Sequence, residues 1–377
     1  MYERPSVEQD DQKAFLSYGQ DRGYAVHADT PLVDAPSSIK LMNSTIANYV
    51  QGLDTSEAFE QSIDDCRVQT CVRFRALDGI VLGDEEWTTT FKMGGFVTNQ
   101  RSFAEATDDT LGFLEENYGV DRTDIHWTYN MRYPKEREDL LSVGLREDYS
   151  EAVMENSHVW VNWQFGDPGP TGHGITLLMP ENVTGELLQF CNVIAIDKVK
   201  DNQGVFHDVG TPLYDVGFGL GRTRLSMNGV RSPFGEEPYV PIVEQITANR
   251  DIELIHAISI ADFVITLEEM VGQGIAPGSK GSNSMTRKLI RNLHNIARVD
   301  HISMDDMLAL FEPDIAAVIE QEFLTYDKTI DRALGKLAVM HNDGFTTSHD
   351  EIIELFKSTH GLPEAITVDW LRSATRS

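Results

Sequence analysis

The sequence predicts an α+β protein in which an antiparallel sheet with flanking helices is followed by a helical domain. Up to about Gly235, runs of β-branched and aromatic residues alternate with turns rich in Gly, Pro, Asn and Asp, a pattern typical of paired strands. Beyond residue 241, apolar residues recur with a period of about 3.6, which is typical of helices with one buried face. This change of period predicts two domains, residues 1–236 and 242–377.

The predicted elements follow one another along the chain. The runs predicted as strands are 68–77, 86–93, 159–165, 174–179 and 187–196. A further strand-like run from Tyr214 leads into a predicted glycine-rich turn. The breaker-rich segment 232–241 is predicted to be a linker, and from Ile242 onward most of the chain is predicted to be helical.

Composition indicates a globular protein that binds neither a membrane nor DNA. With 377 residues, 41% hydrophobic and 24% charged, the chain can bury a core in each of two domains. No apolar run approaches the length of a bilayer span and the start of the chain is polar, so we expect a cytoplasmic protein. The net charge of −29 opposes broad attraction to a polyanion, so any RNA must bind at a local basic patch.

The cysteines and histidines predict no metal centre. Cys66, Cys71 and Cys191 are too few for a disulfide framework and lack zinc spacing, so we expect reduced thiols and no zinc site. The isolated His173, between glycines, is predicted to be a loop residue rather than a catalytic base.

The segment 214–222 (Tyr-Asp-Val-Gly-Phe-Gly-Leu-Gly-Arg) has the composition of a nucleotide site. Its glycines would let backbone amides approach a phosphate or a flat base, Asp215 offers a carboxylate to a cation, and Arg222 offers a planar guanidinium to a phosphate. An ordinary turn has the same glycine spacing, so the segment alone decides neither interpretation.

A second cationic site is predicted in the strand-like run 69–75. Arg73 and Arg75 are two residues apart and would point to the same side of a sheet. Two guanidinium groups on one face indicate an anion site, although a solvated strand face gives the same pattern.

Several short motifs occur in a fixed order. They are Arg73, Phe91-Lys92-Met93-Gly94-Gly95, the run 162–170, Asn192 and the segment 215–222. Together they resemble the catalytic domain of alanyl-tRNA synthetase, a class II synthetase. The runs 260–263, 274–277 and 286–291 resemble the start of that family's helical tRNA-recognition domain. The resemblance extends from about Ala14 to Arg372 and corresponds to a short form or paralogue without the editing and C-terminal domains.

The resemblance implies a role for individual residues. The catalytic residues would be Arg73, Asp215 and Arg222. The ATP-binding residues would be Arg73, Phe91, Met93, Gly217, Gly219 and Arg222, with Phe91 stacked on the adenine. The amino-acid-binding residues would be Ile46, Trp163, Asn192, Asp215 and Gly217, with Asp215 on the α-ammonium group. From the residues alone, Phe91 could equally be a core aromatic, Asp215 an Asx turn and Asn192 a satisfied buried amide.

The chain departs from the family pattern near these residues. The segment 76–90 is shorter than in the family and has no histidine, which implies an abbreviated ATP pocket. Ile46 replaces a methionine of the pocket wall and Thr176 replaces a glutamate. Gly221 precedes Arg222 where the family has a glutamate, and Trp160 competes with Trp163 for the aromatic position beside the amino acid.

The residues that the resemblance assigns to tRNA binding form a basic cluster. They are Lys280, Arg287, Lys288 and Arg291. Such a helix can contact phosphates, or it can present an ordinary solvated face. The family's two readers of the acceptor-stem wobble pair fall at Ser279 and Ser358, so no base-reading side chain is predicted.

The resemblance implies ATP-dependent activation of a small amino acid, alanine in the first place, as an aminoacyl-adenylate. The partners would be the amino acid, ATP with Mg²⁺, and the acceptor stem of a tRNA that receives the acyl group at its 3′ end. Two alternatives stay open: a paralogue that transfers the amino acid to a carrier protein or small amine, and a degenerate, non-catalytic RNA-binding module. The combination of Arg73, Trp163, Asp215 and Arg222 argues against the module, which needs no groups for both a phosphate and an ammonium.

Overall fold

The chain forms two compact units, Tyr2–Pro241 and Ile242–Ser377. The computed structural model describes residues 6–34, 39–50, 53, 55, 59–74, 86–153, 162–248, 250–342, 348–360 and 362–374. The first unit is built on a nine-stranded sheet, and the described residues of the second unit are largely helical.

The strands of the first unit belong to one sheet. They are β1 Ala25–His27, β2 Asp64–Val72, β3 Thr90–Thr98, β4 His126–Asn130, β5 Ser150–Val153, β6 Trp163–Gln164, β7 Gly169–Pro180, β8 Leu187–Lys200 and β9 Phe206–Gly219. Their order across the sheet is β1-β2-β3-β9-β8-β7-β4-β5, with β6 paired to β7. The central pairs are antiparallel, while β1–β2 and β4–β5 at the two edges are parallel. The predicted α+β fold class is confirmed.

The helices flank the sheet and then make up the second unit. The first unit contains α1 Ser6–Asp21, α2 Phe103–Tyr118, α3 Pro134–Ser142 and α4 Leu220–Met227, and α5 Tyr239–Thr247 spans the boundary between the units. The second unit contains α6 Leu254–Gly272, α7 Gly281–Val299, α8 Met304–Leu308, α9 Pro313–Asn342, α10 His349–His360 and α11 Glu364–Ala374.

Helix α2 shows how local sequence sets these boundaries. The Ser102 hydroxyl accepts a hydrogen bond from the Glu105 backbone N–H, and the Glu105 carboxylate accepts one from the Ser102 N–H. This capping box satisfies two otherwise unpaired donors of the first turn. The helix ends at Gly119, whose φ of 66° lies in the left-handed region that glycine adopts without a steric penalty.

One face of the sheet is covered by an aromatic core. Phe15 of α1 lies 4.9 Å from Phe96 of β3, 5.0 Å from Phe113 of α2 and 5.2 Å from Phe218 of β9, measured between ring centroids. These rings are all 2% exposed or less, and such pairs contribute about 0.5–1.5 kcal/mol each beyond burial. Neighbouring residues of a strand point to opposite faces, so the residues next to Phe96 in β3 and next to Phe218 in β9 lie on the face opposite the aromatic core.

Several predicted boundaries are wrong. The predicted strand 68–77 is β2, which begins at Asp64, and the predicted strand 86–93 is β3, which begins at Thr90 and extends to Thr98. The predicted linker 232–241 contains a 3₁₀ turn, and α5 begins three residues before the predicted start at Ile242. Proline is tolerated in a first helical turn because the N–H groups there have no intrahelical partner, so Pro241 does not delay the helix. Of the predicted strand 159–165, the residues up to 161 lie outside the described part of the chain.

Candidate active site

The glycine-rich run 214–219 is part of strand β9 rather than a turn, which corrects the prediction. Asp215, Gly217 and Gly219 alternate with Val216 and Phe218, which lie in the aromatic core. Gly219 is both the last residue of β9 and the N-cap of α4. The run therefore brings Asp215, Gly217 and Gly219 to the sheet face opposite the core.

The residues predicted for ATP and the amino acid share this face. In the ladder, Met93 of β3 pairs with Gly219, and Gly95 pairs with Gly217. On the other side of β9, Asn192 of β8 pairs with Gly217. Phe91 lies two residues before Met93, so its side chain points to the same face. The sheet thus assembles the predicted residues from three neighbouring strands, which the sequence order alone does not show.

A small space, wide enough for one side-chain carbon, lies above Gly217. A Cβ atom placed there would meet only the Met93 sulfur at 3.5 Å and the Thr45 hydroxyl oxygen at 4.0 Å, which are ordinary contact distances. At the neighbouring Gly95, a Cβ atom would lie 2.6 Å from the same Thr45 oxygen. The segment that carries Thr45 therefore docks tightly against Gly95 and leaves room above Gly217.

Asp215 is a buried carboxylate beside this space. Its side chain is 7% exposed, and among the described residues its Oδ1 has no hydrogen-bond partner. Burial raises the pKa of the Asp215 carboxyl from its ordinary value of 3.8 to about 7, while the Arg73 guanidinium and the Thr45 hydroxyl act in the opposite direction. A buried oxygen without a partner is costly, and a cationic ligand would remove that cost.

Arg73 follows the end of β2 and is held in place by its backbone and its side chain. Its backbone N–H donates to the Thr89 carbonyl at 2.8 Å, and its Nε donates to the Asn43 carbonyl at 2.8 Å. The guanidinium carbon lies 5.1 Å from the centre of the Phe91 ring, a cation–π contact. Burial lowers the pKa of the Arg73 guanidinium, and the Asp215 carboxylate counteracts this. Arg75, the predicted second arginine, lies outside the described residues.

Asn192 belongs to a polar network that the sequence indicated only in part. Its Oδ1 accepts hydrogen bonds from Thr176 Oγ1 at 2.9 Å and from Gln189 Nε2 at 3.1 Å. Thr176 of β7 is the ladder neighbour of Asn192, at the position where the sequence pattern replaces a glutamate. Gln189 was not predicted, because residues three apart in a regular strand point to opposite faces. An irregularity in the β7–β8 ladder, where Leu177 pairs with Cys191 and Leu178 with Gln189, places Gln189 on the face of Asn192.

The predicted pocket residues Ile46 and Trp163 are buried in one apolar cluster. Ile46 is 1% and Trp163 is 7% exposed, and the cluster also contains Val97 and Ile194. Both residues pack in the hydrophobic core of this cluster, on the side where a wall of the predicted amino-acid pocket would lie. Trp160 lies outside the described residues.

Arg222 adjoins the ATP-side residues, but its donors are engaged. A Cβ atom at Gly219 would lie 3.5 Å from Arg222 Cβ and 3.6 Å from Phe91 Cδ2, so the two residues flank the strand end. The Arg222 guanidinium donates to the Glu86 carbonyl at 2.8 Å and lies 3.4 Å from the Glu86 carboxylate. It also lies over Trp87, with 4.6 Å between the guanidinium carbon and the ring centre. Neither Glu86 nor Trp87 was predicted as part of the site.

His173 lies in strand β7 and is buried, so the predicted loop assignment is wrong. Its ring stacks on Tyr133 with 3.3 Å between centroids, and its Nε2 lies 2.7 Å from Glu136 Oε1. The glycine at 174 reflects a close backbone approach, because a Cβ atom there would lie 2.4 Å from the Val193 carbonyl oxygen. His173 points to the face opposite Asn192 and takes no part in the site.

The basic cluster lies on helix α7 in the second unit. Arg291 lies 2.9 Å from the Glu322 carboxylate of α9, and Arg287 Nε lies 3.6 Å from it. The Arg291 guanidinium also covers the Tyr326 ring at 4.7 Å. These arginines and Lys288 line a cleft of about 310 Å³, and Lys280 is the N-cap of the helix. Part of the predicted positive charge is thus neutralised within the unit.

The described residues offer no preformed metal centre. Within them, no group of three His, Cys, Asp or Glu side chains could hold a metal ion. Cys66, Cys71 and Cys191 are free and buried, as expected for reduced thiols. No helix in the described ranges is long and apolar enough to cross a membrane.

Comparison with known proteins identifies the family of the chain. Residues 11–375 match the class II (A) tRNA synthetase family. An alanine–tRNA ligase of Nitrosomonas europaea is 23% identical over 95% of this chain and 46% of its own length. One from Legionella pneumophila is 22% identical over 96% of this chain and 46% of its own length. The chain therefore spans about half the length of these relatives. The structure of an S. aureus histidyl-tRNA synthetase is 10% identical, with a TM-score of 0.37. The match covers 61% of this chain and 75% of the histidyl-tRNA synthetase chain.

Proposed function

The chain belongs to the class II tRNA synthetase family, and from that premise we propose that its first unit activates a small amino acid with ATP. The observation that supports this proposal most is the buried Asp215 carboxylate, whose Oδ1 has no hydrogen-bond partner among the described residues and lies on the same sheet face as the small space at Gly217. A carboxylate in that position suits the α-ammonium group of an amino acid, and the charge-assisted contact is worth about 1.5–3 kcal/mol.

Activation requires the amino acid and ATP to meet in a fixed geometry. The amino-acid carboxylate oxygen attacks the α-phosphorus, a new O–P bond forms, and pyrophosphate leaves with the electrons of the broken P–O bond. We assign Arg73 to the α-phosphate and Phe91 to the adenine, since the guanidinium and the ring lie together beside the strand that carries Asp215. Positioning and charge neutralisation are the main requirements of such a step.

The two side chains that bound Gly217 at contact distance favour a small substrate side chain. Gly217 is bounded by Met93 and Thr45, and the apolar residues Ile46 and Trp163 are already buried against their neighbours. We therefore propose alanine as the first substrate to test, a choice supported by the relatives that are alanine–tRNA ligases. Mg²⁺ belongs to this proposal as the ion that arrives with ATP.

We propose a tRNA acceptor end as the destination of the acyl group. The cleft lined by Arg287, Lys288 and Arg291 supports this, because clustered cations contact phosphates. One observation favours the second candidate, transfer to a carrier protein or small amine: Glu322 already pairs with Arg287 and Arg291. The wobble-pair positions Ser279 and Ser358 offer no evident base reader.

The test is amino-acid-dependent exchange of labelled pyrophosphate into ATP, measured for all amino acids with and without tRNA. We expect exchange with alanine, glycine or serine, strongest with one of them. Asp208→Asn, an exposed change on the same strand as Asp215, serves as the control that leaves exchange unchanged. Absence of exchange with every amino acid would refute both enzymatic candidates. Exchange without charging of any tRNA would favour the non-tRNA acceptor.

A further inference from the structure

The side-chain amide of Asn192 has a defined orientation. Thr176 Oγ1 and Gln189 Nε2 both donate to Asn192 Oδ1. In this structure the Gln189 amide presents its nitrogen, which can only donate, and the Asn192 atom that faces it is the oxygen. Two donors therefore hold the Asn192 oxygen on the side of Thr176 and Gln189. No described residue accepts a hydrogen bond from Asn192 Nδ2.

The free donor of Asn192 belongs to the same sheet face as the Asp215 carboxylate. Asn192 is the ladder neighbour of Gly217, and Asp215 is the ladder neighbour of Ile194, two residues further along β8. Since Gly217 has no side chain, the position on β9 that is paired with Asn192 does not cover the Asn192 amide. The face thus presents one buried acceptor and one oriented donor on adjacent strands.

An amino acid has the complementary pair of groups. Its ammonium group needs an acceptor and its carboxylate needs a donor. The donor is lost if the Asn192 amide turns over, because Oδ1 would then face a carboxylate oxygen. This inference rests on the proposed activation of an amino acid. We infer that Thr176 and Gln189 are positioning residues, which orient Asn192 so that its Nδ2 donates a hydrogen bond to the carboxylate of the amino acid.

The decisive variant is Gln189→Glu. It keeps the shape of the side chain but replaces the donor with an acceptor, so the Asn192 amide should turn its Nδ2 toward residue 189. We expect the KM for the amino acid to rise about tenfold or more, with a much smaller change in the KM for ATP. The matched control is Gln203→Glu, which makes the same change at an exposed turn away from the site.

The second variant separates the hydrogen bond from packing. Thr176→Val removes the hydroxyl group at nearly constant volume and should raise the KM for the amino acid about threefold to tenfold. Thr176→Ser restores the hydroxyl and should recover most of the loss, whereas a packing role for the threonine methyl group would leave the serine variant impaired. Thr211→Val, on the exposed part of β9, is the matched control.

A readout independent of activity distinguishes this inference from the proposed function. In protein labelled with ¹⁵N-asparagine, the side-chain amide signal of Asn192 is identified by its loss in Asn192→Asp. We expect that signal to shift in Gln189→Glu and Thr176→Val and to stay unchanged in the two controls. If the parent catalyses no exchange, the proposed function is wrong, while this signal still tests the orientation. An unchanged signal, or a parent-like KM for the amino acid in both variants, overturns the inference.

Discussion

Replacing Asp215 by Asn is expected to make the protein more stable and less active. Asparagine keeps the shape of the side chain but cannot carry the charge. In the free protein the charged form is penalised, because the carboxyl is 7% exposed and its Oδ1 has no partner among the described residues. In the proposed complex the same charge pairs with the substrate ammonium group. Stability and activity should therefore respond in opposite directions.

The stability effect has a defined size and pH dependence. The pKa of the Asp215 carboxyl is about 7 in the folded protein, against an ordinary value of 3.8. The folded protein thus retains this proton to higher pH than the unfolded chain, so its free energy of unfolding falls as pH rises from about 4 to about 7. The difference in pKa corresponds to at most about 4 kcal/mol above pH 7. The Asp215→Asn variant lacks this loss, so its advantage should be small near pH 4 and largest at pH 8.

The activity effect follows from the same pKa. At pH 8 about nine tenths of the parent molecules carry the Asp215 carboxylate, and at pH 6 about one tenth do, which predicts a tenfold lower apparent affinity for the amino acid at pH 6. The Asp215→Asn variant should lose this pH dependence. Its affinity at pH 8 should be lower by the value of a charge-assisted hydrogen bond, about 1.5–3 kcal/mol or roughly tenfold to a hundredfold.

Two assays test this reasoning. Urea unfolding at pH 5 and pH 8 gives the free energy of unfolding of parent and variant, and pyrophosphate exchange from pH 6 to pH 8 gives the KM for the amino acid. The exposed Asp208→Asn variant on the same strand should behave as the parent in both. An Asp215→Asn variant as active as the parent would remove Asp215 from the ammonium site. A stability difference that does not grow between pH 5 and pH 8 would refute the buried charge.

Other changes probe the remaining parts of the site. Arg73→Ala should raise the KM for ATP about tenfold to a hundredfold because a phosphate partner is lost, and an unchanged value in exchange kinetics would make Arg73 a structural residue. Gly217→Ala places a methyl group 3.5 Å from the Met93 sulfur without a backbone clash, so the melting temperature should hold while the KM for the amino acid rises. Neutralising Arg287, Lys288 and Arg291 together should reduce the slope of log binding constant against log salt by up to about three for an alanine tRNA. An unchanged slope in a filter-binding titration would exclude this cleft as the phosphate contact.

The sequence indicates which residues of β9 share a sheet face, because the strand alternation there is regular. Asp215 and Gly217 alternate along the strand with the core residues Val216 and Phe218, and this alternation can be read from the sequence. The same glycines suggested a turn, because glycine is common both in turns and where a strand faces an open space. Local pattern cannot distinguish those cases, and the neighbouring strands decide between them.

Contacts between distant segments could not be predicted. Glu86 and Arg222 are 136 residues apart, and only the sheet order places the start of β3 beside the start of α4. The position of His173 could not be predicted for the same reason. The neighbouring Gly174 suggested a loop, but glycine is needed there because the Val193 carbonyl of β8 comes too close for a side chain. The basic helix α7 was predicted from the family resemblance. Its partner carboxylate Glu322 on α9 was not predicted, since any of the acidic residues of that helix could have faced it.

The sheet register makes this site intolerant of a change in chain length. Residues 191–196 of β8 pair without interruption with 213–218 of β9, and the irregularity in this ladder falls beyond Ile196. Inserting or deleting one residue within 213–218 would exchange the two faces, placing Asp215 among the phenylalanines and Val216 above the substrate space. Lineages of this protein should therefore gain or lose residues at the hairpin between β8 and β9, where residues 203–208 are exposed, while the paired stretch keeps a constant length.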